Sequence, residues 1–572
     1  MVNNYNNWKL IAVGSIAAIL FVGTLGLSSM SRQVDYEQIV SNSKAFAEKQ
    51  SENVIITWNE LALDTVHEKK LGSTTAARLY AMVNIAMYDA VNGIDRADGS
   101  STLDSALVSP GDVPSDADRR AAAIAAAHAV LSAEQADRED IYDVQMAADL
   151  DAIGDDDKDD VEAGLSWGSY VGQQVVELRA DDGSSPKMVE PGRSGVGEFQ
   201  SDFTSAHNAN MRPFAIADPL IYRSAGPPPL DSEEYANAFN EVKELGNLAI
   251  PDQEKEEIFR FWKGGSGSSR SPGEWIKIAI IVANQQDLSL SESTRLFALL
   301  GMAMGDSVRV TWDDKLVYFF WRPQTAIRNA DTDGNPDTEK DPNWEPRNAG
   351  RGPSPEQGGG QSMFAEPGGK GGSPEHVAGQ SVFAGAGSTI LAGFFGWDDI
   401  SFTFEGDNAI AGPRTFESFS DAAQEAGRAR IFAGIHFEFS NQEGQEAGRS
   451  LANEILATKL VPDPLKVRVH AKQIKDLIIV RLRNIGDSTV SVDAFTLTIG
   501  DSMLKAAKAL KKWEKEGELN TVTFSGSKHP LQPDDKQYFL LKVDSVKPVV
   551  DWEVIGMDID MSVKGSVTPL IR

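Results

Sequence analysis

From about residue 32 to about residue 460, apolar side chains recur at three- and four-residue spacing, and after about residue 465 the spacing shortens to two. This change of period constrains the fold more than any other feature. A three-to-four repeat puts one apolar stripe on each helix, and many such stripes are buried together by packing the helices into a bundle. A repeat of two in β-branched residues puts alternate side chains on one face of a strand. The chain therefore reads as mainly α, a large helical bundle followed by a small β-sandwich. At 572 residues it is too long for one ordinary core, which agrees with such a division.

Within the helical part, TTAARLYAMVNIAMYDAVNGI (74–94) predicts a helix stopping at Gly93, and the alanine-rich 118–140 predicts a second. Further helices are expected in 232–249, in 273–286 and through 291–323. An acidic turn-rich loop (331–346) and a Gly/Pro/Ser-dense loop insert (347–375) interrupt them. Strand patterns fill 466–572 like those of an immunoglobulin-like module, with one helical insert expected in SMLKAAKALKKWEKEGE (502–518).

Composition excludes several functions. A formal charge of −30 repels a phosphate backbone, so nucleic acid is not a partner. The acidic run from Asp155 to Asp160 reads as solvated surface. With no cysteine there are no disulfides, thiol nucleophiles or thiolate metal sites. Lys9 precedes eighteen uncharged, mostly apolar residues (10–27), short for a membrane span and long for a signal-peptide core. Residues 1–31 are thus a signal peptide or an N-terminal membrane anchor. Either places the 32–462 helical domain and the 466–572 sandwich outside the cytoplasm, secreted or held at the membrane by that segment.

The chemistry concentrates between residues 315 and 436. Lys315 and Arg322 are seven apart, two helical turns, and share one side if a helix runs through both. Such a pair alone is usually two solvated charges. Here KLVYFFWR surrounds them with bulky apolar residues, where cations need an anionic partner. Arg430 and His436 are six apart, which does not return to one helical face, but Gly434 lets the chain turn between them. A histidine in such a run is otherwise a hydrogen-bonded core residue. Gly379 opens a small-residue helix whose free N–H groups suit an oxyanion, a weak signal by itself. Asp331, Asp333, Asn335 and Asp337 have Gly334 misplaced for a calcium loop and read as an Asx-stabilised turn. GGKGGS lacks the Ser or Thr of a P-loop, so no nucleotide site is assigned.

In order and wording, residues from about 50 to 460 resemble the vanadium-dependent haloperoxidases, which share a fold and pocket with the type 2 phosphatidic acid phosphatases. The resemblance rests on AARLYAMVNIAMYDAVN, YANAFNEVKELG, RLFALLGMAMGDSVRVTWDDKLVYFFWRPQTAIRNADTDGNP and EAGRARIFAGIHFEFSN. It implies that Lys315, Arg322 and Arg430 neutralise the oxygens of a vanadate, or of a phosphate in the same pocket, with Gly379 N–H adding a hydrogen bond. His436 would be the apical group, bonded to vanadium or attacking phosphorus. Hydrogen peroxide and a halide would be the substrates, and no separate metal-ion ligand set is implied. A homo-oligomer is compatible with the resemblance.

One departure matters. The family's middle motif reads Ser-Gly-His, whereas this chain has Ala378-Gly379-Gln380. Alanine donates no hydrogen bond, and glutamine at the catalytic acid–base position shuttles no proton near neutral pH, a loss of about two to four orders of magnitude in rate. His376 lies nearby and need not reach the pocket. Three functions stay open: a haloperoxidase with weakened acid–base chemistry, a catalytically inactive cell-surface scaffold or binding protein, and an acid phosphatase.

Overall fold

The computed structural model describes residues 53–572 apart from 112, 155–157, 350–371, 408–410, 462–466, the connections between the C-terminal strands, and Arg572. The expected signal or anchor at 1–31 and most of the Gly/Pro-rich insert lie outside the described residues. Among those described, no helix is long and apolar enough to cross a membrane.

Among the described residues, thirteen α-helices precede residue 460. The first five are α1 (Val54–Glu68), α2 (Ser73–Asp98), α3 (Arg119–Glu134), α4 (Glu139–Ile153) and α5 (Lys158–Arg179). Then come α6 (Glu233–Leu245), α7 (Gln253–Phe261), α8 (Arg270–Gln285), α9 (Leu290–Tyr318) and α10 (Pro323–Arg328). After α11 (Gly379–Phe395), a hairpin of β1 (Phe402–Glu405) and β2 (Pro413–Phe416) leads to α12 (Phe419–Phe432) and α13 (Glu438–Thr458). Local chemistry sets several starts. The Asp118 side chain accepts from Ala121 N–H, Ser232 from Tyr235 N–H, and Ser289 with Glu292 closes a capping box.

Gly93 does not stop its helix. α2 runs on to Asp98 and ends at Gly99, which takes the left-handed conformation of a C-cap. Gly93 is required instead by packing, since a Cβ there would lie 2.8 Å from the Trp167 ring of α5. The same logic explains the alanine-rich α3. Gly164, Gly168 and Gly172 recur every fourth residue along α5, where Cβ atoms would meet the backbone oxygens of Asp118, Ala122 and Ala126 at 2.3, 2.0 and 2.6 Å. The two backbones are in contact, so overpacking has no soft neighbour to absorb it. Gly168→Ala is expected to destabilise the protein by about 1–3 kcal/mol in chemical denaturation; an unchanged midpoint would contradict this packing.

α9 is the buried axis, packed against α2, α11 and α13. α11 and α13 approach closely because Gly385 faces the Gln445 carbonyl and Gly448 the Val382 carbonyl, each 2.2 Å from where a Cβ would sit. That approach brings the start of α11 beside the start of α13, where Ala378 N–H donates to the Ser440 carbonyl at 3.2 Å.

The expected acidic loop is held by Asx turns. Asp333 accepts from Asn335 N–H, and the Asn335 side chain from Asp337 N–H. Beyond residue 466 the period of two becomes two five-stranded sheets, β11-β10-β5-β8-β7 and β12-β3-β4-β9-β6. They comprise β3 (Val467–Ile474), β4 (Leu477–Asn484), β5 (Val492–Ile499), β6 (Leu504–Ala509), β7 (Trp513–Glu516), β8 (Thr521–Gly526), β9 (Lys536–Val543), β10 (Val550–Gly556), β11 (Ser562–Val567) and β12 (Leu570–Ile571). All pairings are antiparallel except β12 with β3. Ile478, Val480 and Leu482 are buried in alternation, and Phe495 of one sheet meets Phe539 of the other with ring centroids 4.7 Å apart. The described residues of the helical insert expected at 502–518 are strand instead: β6 pairs with β9 and β7 with β8. Lysine and alanine there favour helix locally, but pairing with the neighbouring strands overrides that local preference.

Candidate functional site

Lys315 and Arg322 reach one place by a route their spacing did not foretell. No helix runs through both. α9 ends at Tyr318, and Phe319 caps it in the left-handed region at φ 49°. The break divides the aromatic run. Phe319 packs edge-on against Phe199, while Phe320 and Trp321 enter a separate cluster with Tyr235 and Phe437. Two backbone bonds anchor the broken segment: Phe199 N–H donates to the Phe319 carbonyl and Trp321 N–H to the Gly197 carbonyl. Arg322 then becomes the N-cap residue of α10.

Both cations turn onto the segment before α11. Lys315 Nζ donates to the carbonyls of Pro374 (2.6 Å) and Glu375 (3.1 Å). Arg322 donates through Nε to the Ser373 carbonyl (2.9 Å), and through one terminal nitrogen to the Ile435 carbonyl (2.9 Å) and His436 Nε2 (3.0 Å). Arg430 lies in the last turn of α12. Gly434, at φ 76°, then turns the chain, and His436 follows it beside Arg322. Gly379 is the first residue of α11, where N–H groups lack intrahelical acceptors, and a Cβ on it would press against Thr311 at 3.1 Å.

The charges are left unbalanced. Among the described residues no carboxylate forms an ion pair with Lys315, Arg322 or Arg430, and the enclosed Nε of Arg430 has no hydrogen-bond partner. Burial and the neighbouring Arg322 push the Lys315 ammonium well down. Burial pushes Arg322 down to about 10, and burial with Arg322 pushes Arg430 down to about 10. Both guanidiniums therefore remain charged at neutral pH. Burial, Arg322, Lys315 and Arg430 hold the His436 imidazole well below its ordinary value. Its partners assign the tautomer. Arginine only donates, so Nε2 carries the lone pair, and Nδ1–H donates to Glu375 Oε1 at 2.8 Å.

Glu375 is the main residue that sequence reasoning missed. It is fully enclosed, accepts from Phe437 N–H (3.0 Å) and the Ser440 hydroxyl (2.6 Å), and fixes the imidazole. Its only signal was an acid in an otherwise apolar, small-residue stretch. His376 reaches the site only through this network, with Nδ1 on Ser440 Oγ and Nε2 on Ser224 Oγ, both at 2.8 Å. Ala378 caps α11 without a side-chain bond. The Gln380 amide nitrogen donates to the Trp262 carbonyl at 2.8 Å and contacts Glu274 Oε2 at 3.3 Å. Glu274, an acid within an apolar helix, was also missed.

Residues 295–461, which contain Lys315, Arg322, Gly379, Gln380, Arg430 and His436, match the family model described as the VCPO second helical-bundle domain. The chain is similar to that family over this segment. It is 26% identical over 186 residues to the vanadium chloroperoxidase of Curvularia inaequalis, a match covering 30% of this chain and 29% of that protein's length. In fold the chain is similar to solved structures of vanadium-dependent haloperoxidases. A bacterial vanadium-dependent iodoperoxidase superposes with a TM-score of 0.56 at 21% identity, covering 71% of this chain and 95% of that one. The holo form of a bacterial vanadium-dependent chloroperoxidase gives 0.50 at 16% identity, covering 68% and 92%. These haloperoxidase folds agree with the helical bundle expected from the sequence period.

Proposed function

We propose that this chain is an extracytoplasmic haloperoxidase-type protein that binds vanadate, or phosphate in the same pocket, and oxidises halide with hydrogen peroxide. The supporting observation is the cation set itself. Lys315, Arg322 and Arg430 lie around His436 with Arg322 on its Nε2, no carboxylate is ion-paired with any of the three among the described residues, and Arg430 Nε is enclosed and unpaired. Desolvated cations left this way are costly unless an anion completes them. The donors also suit a tetrahedral oxyanion, because guanidinium groups and first-turn N–H groups both present hydrogens.

Lys315, Arg322, Arg430 and Gly379 N–H would hold the oxygens, and His436 Nε2 would hold the metal. When bound, vanadate supplies Lewis-acid activation of peroxide without a change in metal oxidation state. Glu375 keeps the proton on Nδ1, and Arg322 would turn its donor from Nε2 to the anion, leaving Nε2 available. The aromatic cluster of Phe320, Phe437 and Tyr235 excludes water from one side.

A second reading, a silent binding protein, draws support from Ala378 and Gln380, since one donates nothing and the other spends its amide hydrogens on Trp262 and Glu274. Calorimetry with vanadate, followed by bromide oxidation with peroxide on the same sample, separates the two. Binding with turnover is the expected result. Binding without turnover leaves the silent reading, and no binding overturns both the cofactor assignment and the enzyme.

A further inference from the structure

One buried hydroxyl beside the start of α11 has no partner. Thr311 sits on α9 one turn before Lys315, so the two side chains leave the same face of that helix. That face meets the segment entering α11. Lys315 reaches the Pro374 and Glu375 carbonyls, and Thr311 lies against Gly379. Chain neighbours apart, Thr311 is the one residue among those described that a Cβ on Gly379 would meet within 4 Å, its methyl carbon at 3.1 Å and its Oγ1 at 4.0 Å.

Thr311 is fully enclosed, and its Oγ1 has no hydrogen-bond partner. Hydroxyls within helices commonly donate to a carbonyl one turn back. Others in this protein do so: Thr294 to Ser291 and Ser307 to Ala303 on α9, and Ser388 to Ala384 on α11. Thr311 stands apart from them, and a buried hydroxyl left so is costly unless something completes it. Its surroundings say what that would be. Gly379 N–H is a first-turn donor, Lys315 is a cation, and Ala378 caps α11 with no side-chain bond. Arg430, which acts on Lys315, has an enclosed Nε that is also unpartnered. Such groups present hydrogens, so the partner that suits them all is an acceptor, the oxygen of an anion.

We propose that Thr311 is a binding residue of the oxyanion pocket: its hydroxyl donates to an anion oxygen beside Gly379 N–H, a bond that Ala378 has no side-chain atom to make. This rests on the oxyanion reading above and adds a neutral donor to its cations.

Calorimetry with inorganic phosphate, beside thermal unfolding without it, tests the assignment on the full chain. Thr311→Val keeps the shape and removes the hydroxyl. It should bind phosphate about tenfold to a hundredfold more weakly than wild type, the range for a hydrogen bond to a charged acceptor. Its unligated midpoint should hold or rise, because an unpaired buried hydroxyl is gone. Thr311→Ser keeps the hydroxyl and should bind close to wild type. If the valine variant fails to fold, Thr311→Ala against Thr311→Ser isolates the same group. Wild-type affinity in Thr311→Val, or a loss that Thr311→Ser shares in full, overturns the proposal and leaves the cation pocket standing. An unligated midpoint several degrees lower in Thr311→Val overturns it too, since the hydroxyl would then be bonded within the fold. No phosphate or vanadate binding by wild type overturns the oxyanion reading, and the proposal with it.

Discussion

Arg430→Ala is expected to abolish tight oxyanion binding while leaving the empty protein as stable as wild type, or more so. The two effects have one cause. Without an anion, Arg430 sits near Arg322 and Lys315, which depress one another as cations, and its Nε has no partner. Removing it relieves repulsion and leaves no acceptor unpaired, so the thermal midpoint without ligand should hold or rise. With phosphate or vanadate present, the same substitution deletes a desolvated charge-assisted contact. Truncating one member of such a pair costs about 2–5 kcal/mol, or roughly 30-fold to several thousand-fold in affinity. Arg430→Lys should fall between, because the charge remains while the fork geometry is lost. Calorimetry and thermal unfolding on the same samples check both halves. A variant that unfolds several degrees earlier while binding normally would make Arg430 a structural residue and sink the pocket.

The helical period made the bundle legible, because an amphipathic stripe has few ways to be buried other than against another helix. The cation pocket was legible by resemblance and only partly by physics. Seven-residue spacing put Lys315 and Arg322 on one helical face, yet the helix ends at Tyr318 and Arg322 arrives through the left-handed turn at Phe319. Local periodicity does not encode such a break, which depends on Gly197 and Phe199 more than a hundred residues upstream. Glu274 and Glu375 were hidden for the same reason. Their partners are 106 and 61 residues away along the chain, and the acids acquire meaning only once α8, α11 and α13 have packed. The 502–518 segment failed in the opposite direction, where a strong local helix signal yielded to strand pairing.

Glu375→Ala should be the most destabilising single change at the site, and an added anion should offset much of the loss. Glu375 is the carboxylate that favours the charged forms of both Lys315 and Arg322, and it accepts from His436 Nδ1, Phe437 N–H and Ser440 Oγ. Removing it leaves those buried donors unpaired and the cations without compensating charge, a loss of about 3–5 kcal/mol. Glu375→Gln keeps an acceptor for the imidazole but not the charge, and should lose less. If the pocket takes an oxyanion, phosphate at 100 times its Kd returns about 2.7 kcal/mol by mass action, provided the cradle still binds. The physical point is that two anions hold this cluster together, one built into the chain and one borrowed from solution, so that weakening the first should raise the dependence on the second. Urea titrations of both variants with and without phosphate decide it. A Glu375→Ala protein that is destabilised but indifferent to phosphate would mean that the carboxylate braces the α11–α13 junction alone and that no anion enters beside it.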